Sequence, residues 1–268
     1  MLRSLVGSEM CIRDSTIPTR GPDETVADAL DWFASQPAIS ALGLATFGPV
    51  GLDQQRPDHG HILATPKPGW SRYDFAGALA EGLSVPVAVE TDVNAAALAE
   101  AQARDEAGSL AYMTVGTGIG VGLVIDGRCV HGAAHPEMGH YYPRRPVEDV
   151  EFKGVCPFHG DCLEGLAGGP AISARWGATL SDLPPTHPAH DRVAGYLAQA
   201  CHTLFASTSV ETVVLGGGVL ETPNLRERIA ARARELDAGY LPGGTRHTIV
   251  APRLGSRSGI IGAMILAP

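Results

Sequence analysis

The stretch Tyr112-Met-Thr-Val-Gly-Thr-Gly-Ile-Gly-Val-Gly-Leu-Val-Ile-Asp-Gly127 organises the reading of this chain. Apolar and β-branched residues run up to Val115, and a second such run, Leu123-Val-Ile125, follows the glycines. The pattern predicts two strands joined by Gly116-Thr117-Gly118-Ile119-Gly120, where glycine permits positive φ and lets backbone amides point outward together. Aimed amides beside a Thr hydroxyl form a cradle for phosphate oxygens. A dinucleotide fingerprint needs a helix directly after its glycines, and a Walker loop needs Gly-Lys-Ser/Thr, so neither fits. Taken alone, the stretch is equally a glycine-rich hairpin without a ligand. Its neighbours bear on that choice, because a carboxylate motif precedes it and a Cys/His cluster comes after it.

The chain has 268 residues, 44% of them hydrophobic, enough for one large domain or two small ones. No apolar run reaches membrane-spanning length and no charged-then-apolar leader opens the chain, which points to a soluble, cytoplasmic protein with no membrane partner. A net charge of −9 offers no basic face to nucleic acid. Any anionic ligand must then be held by local groups such as backbone amides, a helix end or a metal ion. Five cysteines, three of them outside any close pair, argue against a disulfide framework.

Leu5-Val-Gly-Ser-Glu-Met-Cys-Ile-Arg-Asp-Ser15 differs in character from the rest of the chain and reads as one frame of a transposon-type sequencing adapter. Residues 1–15 are therefore expected to be non-native and are set aside. From there the pattern predicts a helix over 23–35, a buried strand over 41–47 and a Gly-Pro-Val-Gly turn. A loop over 52–70 ends in Thr65-Pro-Lys-Pro-Gly-Trp70. Loops of that length are functional or disordered, and the Trp favours order. A helix over 74–83 and a strand over 85–90 come next.

Asp92, in Thr91-Asp-Val-Asn-Ala-Ala-Ala, sits where that strand gives way to an alanine-rich helix. Two readings stand. Carboxylates at such edges of an α/β sheet meet ligands outside the strand ends, and Asp is also a strong N-cap. Beyond the hairpin, Cys156-Pro-Phe-His159-Gly-Asp-Cys162 has metal-ligand spacing in a tight turn, and His140 can complete a Cys2His2 set typical of structural zinc. Cys129 and Cys201 lie in apolar contexts and read as small buried side chains. A helix over 191–207, a buried strand ending in Gly216-Gly217-Gly218, a helix over 224–236 and a strand near 248–251 complete the pattern up to the C-terminal segment. That segment, 255–267, reads as a helix with Gly259, Gly262 and Ala263 for close packing.

In this order the motifs resemble the ROK family of sugar kinases, within it the bacterial fructokinase branch. The resemblance runs from about Thr16 to Pro268. It rests on Ala45-Thr-Phe-Gly-Pro-Val50, Thr65-Pro-Lys-Pro-Gly-Trp70, Glu90-Thr-Asp-Val-Asn-Ala-Ala96, Thr114-Val-Gly-Thr-Gly-Ile119, His135-Pro-Glu-Met-Gly-His140, Gly154-Val-Cys-Pro-Phe-His-Gly-Asp-Cys-Leu-Glu164 and Val214-Leu-Gly-Gly-Gly218. It implies an α/β, actin-like (ribonuclease H-like) pair of domains that closes over ATP with Mg2+ and a hexose, usually as a homodimer. The domains would span 16–110 and 111–268, with the last helix packing back on the N-terminal one.

By the same resemblance Asp92 is the base that deprotonates the sugar hydroxyl, and Glu137, His140 and Glu164 bind sugar hydroxyls. His140, Cys156, His159 and Cys162 hold Zn2+. Thr117 and Gly118 cradle ATP phosphates, and Gly216, Gly217 and Gly218 lie against the nucleoside. The loop at Lys67 favours fructose, giving fructose 6-phosphate. The runners-up are a glucokinase or mannokinase of the same family and a ROK transcriptional repressor. Because such proteins open with a strand, a Gly-Gly-Thr turn and two more strands, the N-terminal domain is expected to be incomplete and this chain impaired.

Overall fold

In the computed structural model, which describes residues 15–104 and 108–268, the glycine stretch forms the expected hairpin. β3 (Ser109–Val115) and β4 (Ile119–Ile125) are antiparallel, with Val115 opposite Ile119. The reason for the glycines differs from the expectation: none of Gly116, Gly118 or Gly120 takes a positive φ. Close approach accounts for Gly118, Gly120 and Gly122, whereas a Cβ on Gly116 would meet nothing within 4 Å. A Cβ on Gly122 would lie 2.0 Å from the Val93 carbonyl oxygen, and one on Gly118 would lie 2.7 Å from Glu164 Oε2. The positive φ values fall one turn later, at Asp126 and Gly127, where β4 reverses into β5 (Arg128–Cys129).

This hairpin is the centre of a five-stranded sheet ordered β5-β4-β3-β6-β7, with β6 spanning Thr212–Gly216 and β7 Thr248–Val250. β3, β6 and β7 are mutually parallel, so β3 and β6 end together at the glycine turn and at Gly216. A 21-residue helix, Pro188–Thr208, and the helix Leu225–Asp237 pack together on this unit. Their buried Val193, Leu197, Leu204 and Ile229 join Met113, Val121 and Leu215 in the largest apolar core. Each such side chain stabilises the fold by about 1.5–3 kcal/mol.

The preceding residues build a smaller unit. α1 (Pro22–Ala34) and α2 (Phe75–Leu83) pack through Val26, Ala76 and Leu79 against Leu44 of β1 (Leu42–Thr46). β1 pairs in parallel with β2 (Val87–Thr91), and among the described residues it has no other strand neighbour. The loop from 47 to 74 is ordered by Trp70, which is 2% exposed and meets Phe47, Tyr73 and Phe75 edge-on. Its Nε1–H donates to the Arg20 carbonyl at 2.9 Å. The adapter reading of residues 1–15 falls, apart from Ser15, outside the described residues.

α3 (Asp92–Ala103) joins the two units, with α8 (Ser258–Leu266) packed on it and on β1. Small residues permit the contact. A Cβ on Gly262 would sit 2.1 Å from the Ala95 carbonyl oxygen, and one on Gly43 would sit 1.7 Å from that of Ala263. Gly259, expected to pack in the same way, instead faces open space. Among the described residues no helix is long and apolar enough to cross a membrane.

Glu100 locks this junction. Fully buried on α3, it accepts hydrogen bonds from the Arg253 and Leu254 amides (2.9 and 3.0 Å) and from Ser258 Oγ (2.7 Å), and it pairs with Arg104. Burial alone would raise its pKa, but these donors together hold it below the usual carboxylate range. Glu100→Ala leaves two amides and a guanidinium without their acceptor and should cost about 3–5 kcal/mol in urea unfolding at neutral pH. The sign is set by the lowered pKa. The stabilisation is present above the unfolded carboxylate value and is lost as pH falls through the folded one.

Candidate active site

Asp92 is not the cap of its helix. Thr91 is, its Oγ1 accepting from the Asn94 amide at 3.2 Å, and Asp92 is the first helical residue. Of the two readings the sequence allows, capping therefore belongs to the neighbour, and the Asp92 carboxylate is left facing solvent with one internal contact. Its Oδ1 accepts from the Val93 amide at 2.8 Å. The group is open to water yet ringed by protein, and this desolvation raises its pKa, opposed by the Val93 amide, Lys67 and His135. A raised pKa makes the carboxylate a better proton acceptor.

The support beneath Asp92 is rigid. Glu90, 4% exposed, accepts from the Thr91 amide (2.8 Å) and from Asn94 Nδ2 (3.0 Å), and lies 2.7 Å from His131 Nε2. Asn94 Oδ1 in turn accepts from the Leu123 amide at 3.1 Å. The motif Glu90-Thr-Asp-Val-Asn94 thus ties the β2–α3 junction to strand β4 of the hairpin.

Two further carboxylates, Glu137 and Glu164, belong to the same cluster. Glu137 has its pKa raised by burial, opposed by His140 and reinforced by Glu164 and Asp92, so it is within electrostatic reach of all three. Glu164 Oε2 accepts from the Ile119 amide at 2.9 Å, anchoring it to the hairpin. Lys67 stands on the other side with its Nζ 3.4 Å from the centre of the Phe47 ring. Burial lowers its pKa while Asp92 raises it. Such a set can bind a polyhydroxylated ligand, since carboxylates accept from hydroxyls while imidazole and ammonium groups donate to them.

The phosphate turn is narrower than the sequence suggested. The Gly116 amide is used internally, donating to the Gly118 carbonyl at 2.9 Å. Among the described residues no protein group accepts from the amides of Thr117 and Gly118, and Thr117 is exposed. The helix expected after Leu163-Glu164 is present as two, a short α4 (Leu163–Ala167) and α5 (Gly169–Trp176), and α5 begins against this turn. Its Gly169 amide donates to the Gly116 carbonyl at 2.7 Å. The positive end of a helix beside two free amides favours an anion there. The signal for α5 was Gly168-Gly169-Pro170, since proline at the start of a helix is a recognised opening.

The three glycines at 216–218 divide. A Cβ on Gly216 would meet the Tyr112 hydroxyl at 2.3 Å and one on Gly217 the Val115 carbonyl oxygen at 2.5 Å, so packing explains both without a ligand. Gly218 is exposed and open on its Cβ side.

His140, Cys156, His159 and Cys162 converge as expected, their ligand atoms all within 4.8 Å of one another. His140 Nδ1 lies 3.7 Å from Cys156 Sγ and 3.5 Å from Cys162 Sγ, and His159 Nδ1 lies 3.7 Å from Cys156 Sγ. A tetrahedral zinc with ordinary Zn–S and Zn–N bonds has S···N edges of about 3.5 Å, so the set fits that ion. A zinc held through Nδ1 would keep the His140 proton on Nε2, away from the metal.

The profile of the ROK family matches residues 7–268. The chain belongs to the ROK family. It is 40% identical to a fructokinase of Zymomonas mobilis subsp. mobilis over 261 residues, which is 94% of this chain and 87% of that protein. Similarity to a Pediococcus pentosaceus fructokinase is 39% over 260 residues, 94% of this chain and 88% of the relative. A solved ROK hexokinase from Thermus thermophilus superposes with a TM-score of 0.73 at 27% identity, covering 93% of this chain and 87% of its own. The actin-like fold class expected from the motifs therefore holds for this ROK chain. Lys67, His131 and His135 were not singled out in the sequence as site residues, because only tertiary contacts bring Lys67 and His135 within reach of Asp92 and His131 to Glu90 beneath it.

Proposed function

We propose that the chain is an ATP-dependent hexose kinase that prefers fructose and forms fructose 6-phosphate. The observation that carries the reading is the Asp92 carboxylate, relieved of capping and near enough to Glu137 to act on it, while Glu164 acts on the same Glu137 and anchors the turn that carries the free amides of Thr117 and Gly118. Its ROK membership and its likeness to proteins named fructokinase support the same assignment.

In the proposed reaction, Glu137, Glu164 and His140 Nε2–H hold the sugar hydroxyls. Asp92 orients the acceptor hydroxyl and takes its proton as that oxygen bonds to the γ-phosphorus of ATP. The bond from the γ-phosphorus to the β,γ-bridging oxygen breaks, and ADP leaves with the electron pair. Phosphoryl transfer of this kind depends on in-line positioning and charge neutralisation more than on covalent chemistry. Thr117, Gly118 and the start of α5 would hold the phosphate oxygens, with Gly218 as the open glycine on the nucleoside side. Mg2+, a hard ion suited to phosphate and carboxylate oxygens, would supply charge neutralisation with the nucleotide. Zn2+ on His140, Cys156, His159 and Cys162 would order the loop and set the His140 ring. A homodimer is the proposed working form, to be checked by light scattering.

A hexose screen tests the preference. Fructose should rank first in ATP-dependent phosphorylation, measured on this chain and on a version whose residues 1–15 carry the matching opening of the Zymomonas mobilis relative. A clear preference for glucose or mannose moves the protein to that branch of the family. No phosphorylation of any hexose by either version, together with sequence-specific DNA binding, favours the regulator reading.

A further inference from the structure

His135 lies outside the set assigned to the hexose or to metal, yet it is 8% exposed and touches both halves of the site. Its Nε2 accepts a hydrogen bond from the Val50 amide at 3.1 Å, so the proton of the neutral ring is on Nδ1. That Nδ1 faces Glu137 Oε1 at 3.5 Å. Burial lowers the pKa of the ring, which keeps Nε2 free to accept.

The loop it holds is the exit of β1. Val50 is 1% exposed and packs with Ile62 and Trp70, so its amide is sealed from water and needs a protein acceptor. Gly48 lies against the same group. A Cβ there would come within 3.0 Å of Glu137 Oε1 and 3.1 Å of His135 Cε1. One imidazole therefore fixes the Gly48–Val50 backbone at one nitrogen and addresses the Glu137 carboxylate with the other.

We propose that His135 is a positioning residue that pins the β1 exit loop to Glu137 and so sets the hexose side of the site. Resting on the hexose-kinase reading, this adds the residue on which sugar affinity depends, distinct from those that handle ATP. Without the ring, the Val50 amide loses its acceptor, the loop moves off, and Glu137 loses its fixed orientation.

His135→Ala should raise KM for fructose by roughly tenfold or more, while KM for ATP stays within about twofold. His135→Gln, whose amide oxygen can accept from Val50 near the Nε2 position, should recover much of the loss. The form of the protein that phosphorylates fructose in the screen is the parent. A fructose KM unchanged in His135→Ala, or an equal rise in both KM values, overturns the inference. Should the alanine variant fail to fold, nitrogen-15 spectra of the parent still decide it, since His135 must show the Nδ1–H tautomer and an Nε2–H tautomer overturns the arrangement. A parent that phosphorylates no hexose defeats the functional reading itself, whereas an active parent with an unaffected His135→Ala variant defeats this inference alone.

Discussion

Asp92→Asn should remove hexose phosphorylation by a factor of at least ~10²–10⁴ and leave the fold and ATP binding intact. The side chains are nearly isosteric, and the Asn oxygen can still accept from the Val93 amide as Asp92 Oδ1 does at 2.8 Å. Helix capping stays with Thr91. What the amide cannot do is take a proton. A melting temperature close to the parent's, unchanged nucleotide binding and lost turnover are the expected combination, and full activity in the Asn variant overturns the assignment. A pH profile supplies an independent check. Because desolvation raises the Asp92 pKa, the ionised, proton-accepting form is lost at a higher pH than for an ordinary aspartate. The acid limb of kcat/KM should therefore lie above the usual carboxylate range, with activity present above it and falling below it.

The second large effect concerns the Cys/His cluster. Purified protein should carry about one zinc per chain by metal analysis, and Cys162→Ser should lose it. Structural zinc contributes folding free energy of about 10 kcal/mol or more in small zinc domains, so even a fraction of that would unfold the segment between β5 and α4. Cys201→Ser is the control. Cys201 is equally buried, with its thiol pushed up to about 12 by burial, but it lies in the middle of the long helix Pro188–Thr208 and is not one of the four clustered residues. It should lose only packing, so Cys162→Ser should destabilise more. Protein without zinc, or equal destabilisation by the two substitutions, contradicts the metal assignment.

The strands around the glycine turn were legible because β-branched runs and glycines are local signals, and the Cys/His set because ligand spacing is local too. What was misread is what depends on distant neighbours. The hairpin glycines looked like positive-φ residues, but Gly118, Gly120 and Gly122 are small because Val93 and Glu164 press on them. Glu100 carries no local signal of its role in an alanine-rich helix, and that role as an acceptor appears only when residues 253–258, some 150 positions later, fold against it. His135 is similar: an amide 85 residues away in the chain defines what it does. Asp92 is the instructive intermediate case. Thr91, its immediate neighbour and a good cap, was in plain view, and recognising it as the cap would have removed the capping reading of Asp92 from sequence alone.

The central claim is transfer of the ATP γ-phosphoryl group to a sugar hydroxyl at Asp92. Phosphorus-31 NMR of the protein with ATP, Mg2+ and fructose tracks that transfer directly. The predicted result is fructose-dependent conversion of ATP to ADP with a new phosphate monoester signal of fructose 6-phosphate, absent from the Asp92→Asn variant. ATP hydrolysis to inorganic phosphate at a rate indifferent to fructose, or ester formation undiminished in the variant, would contradict it.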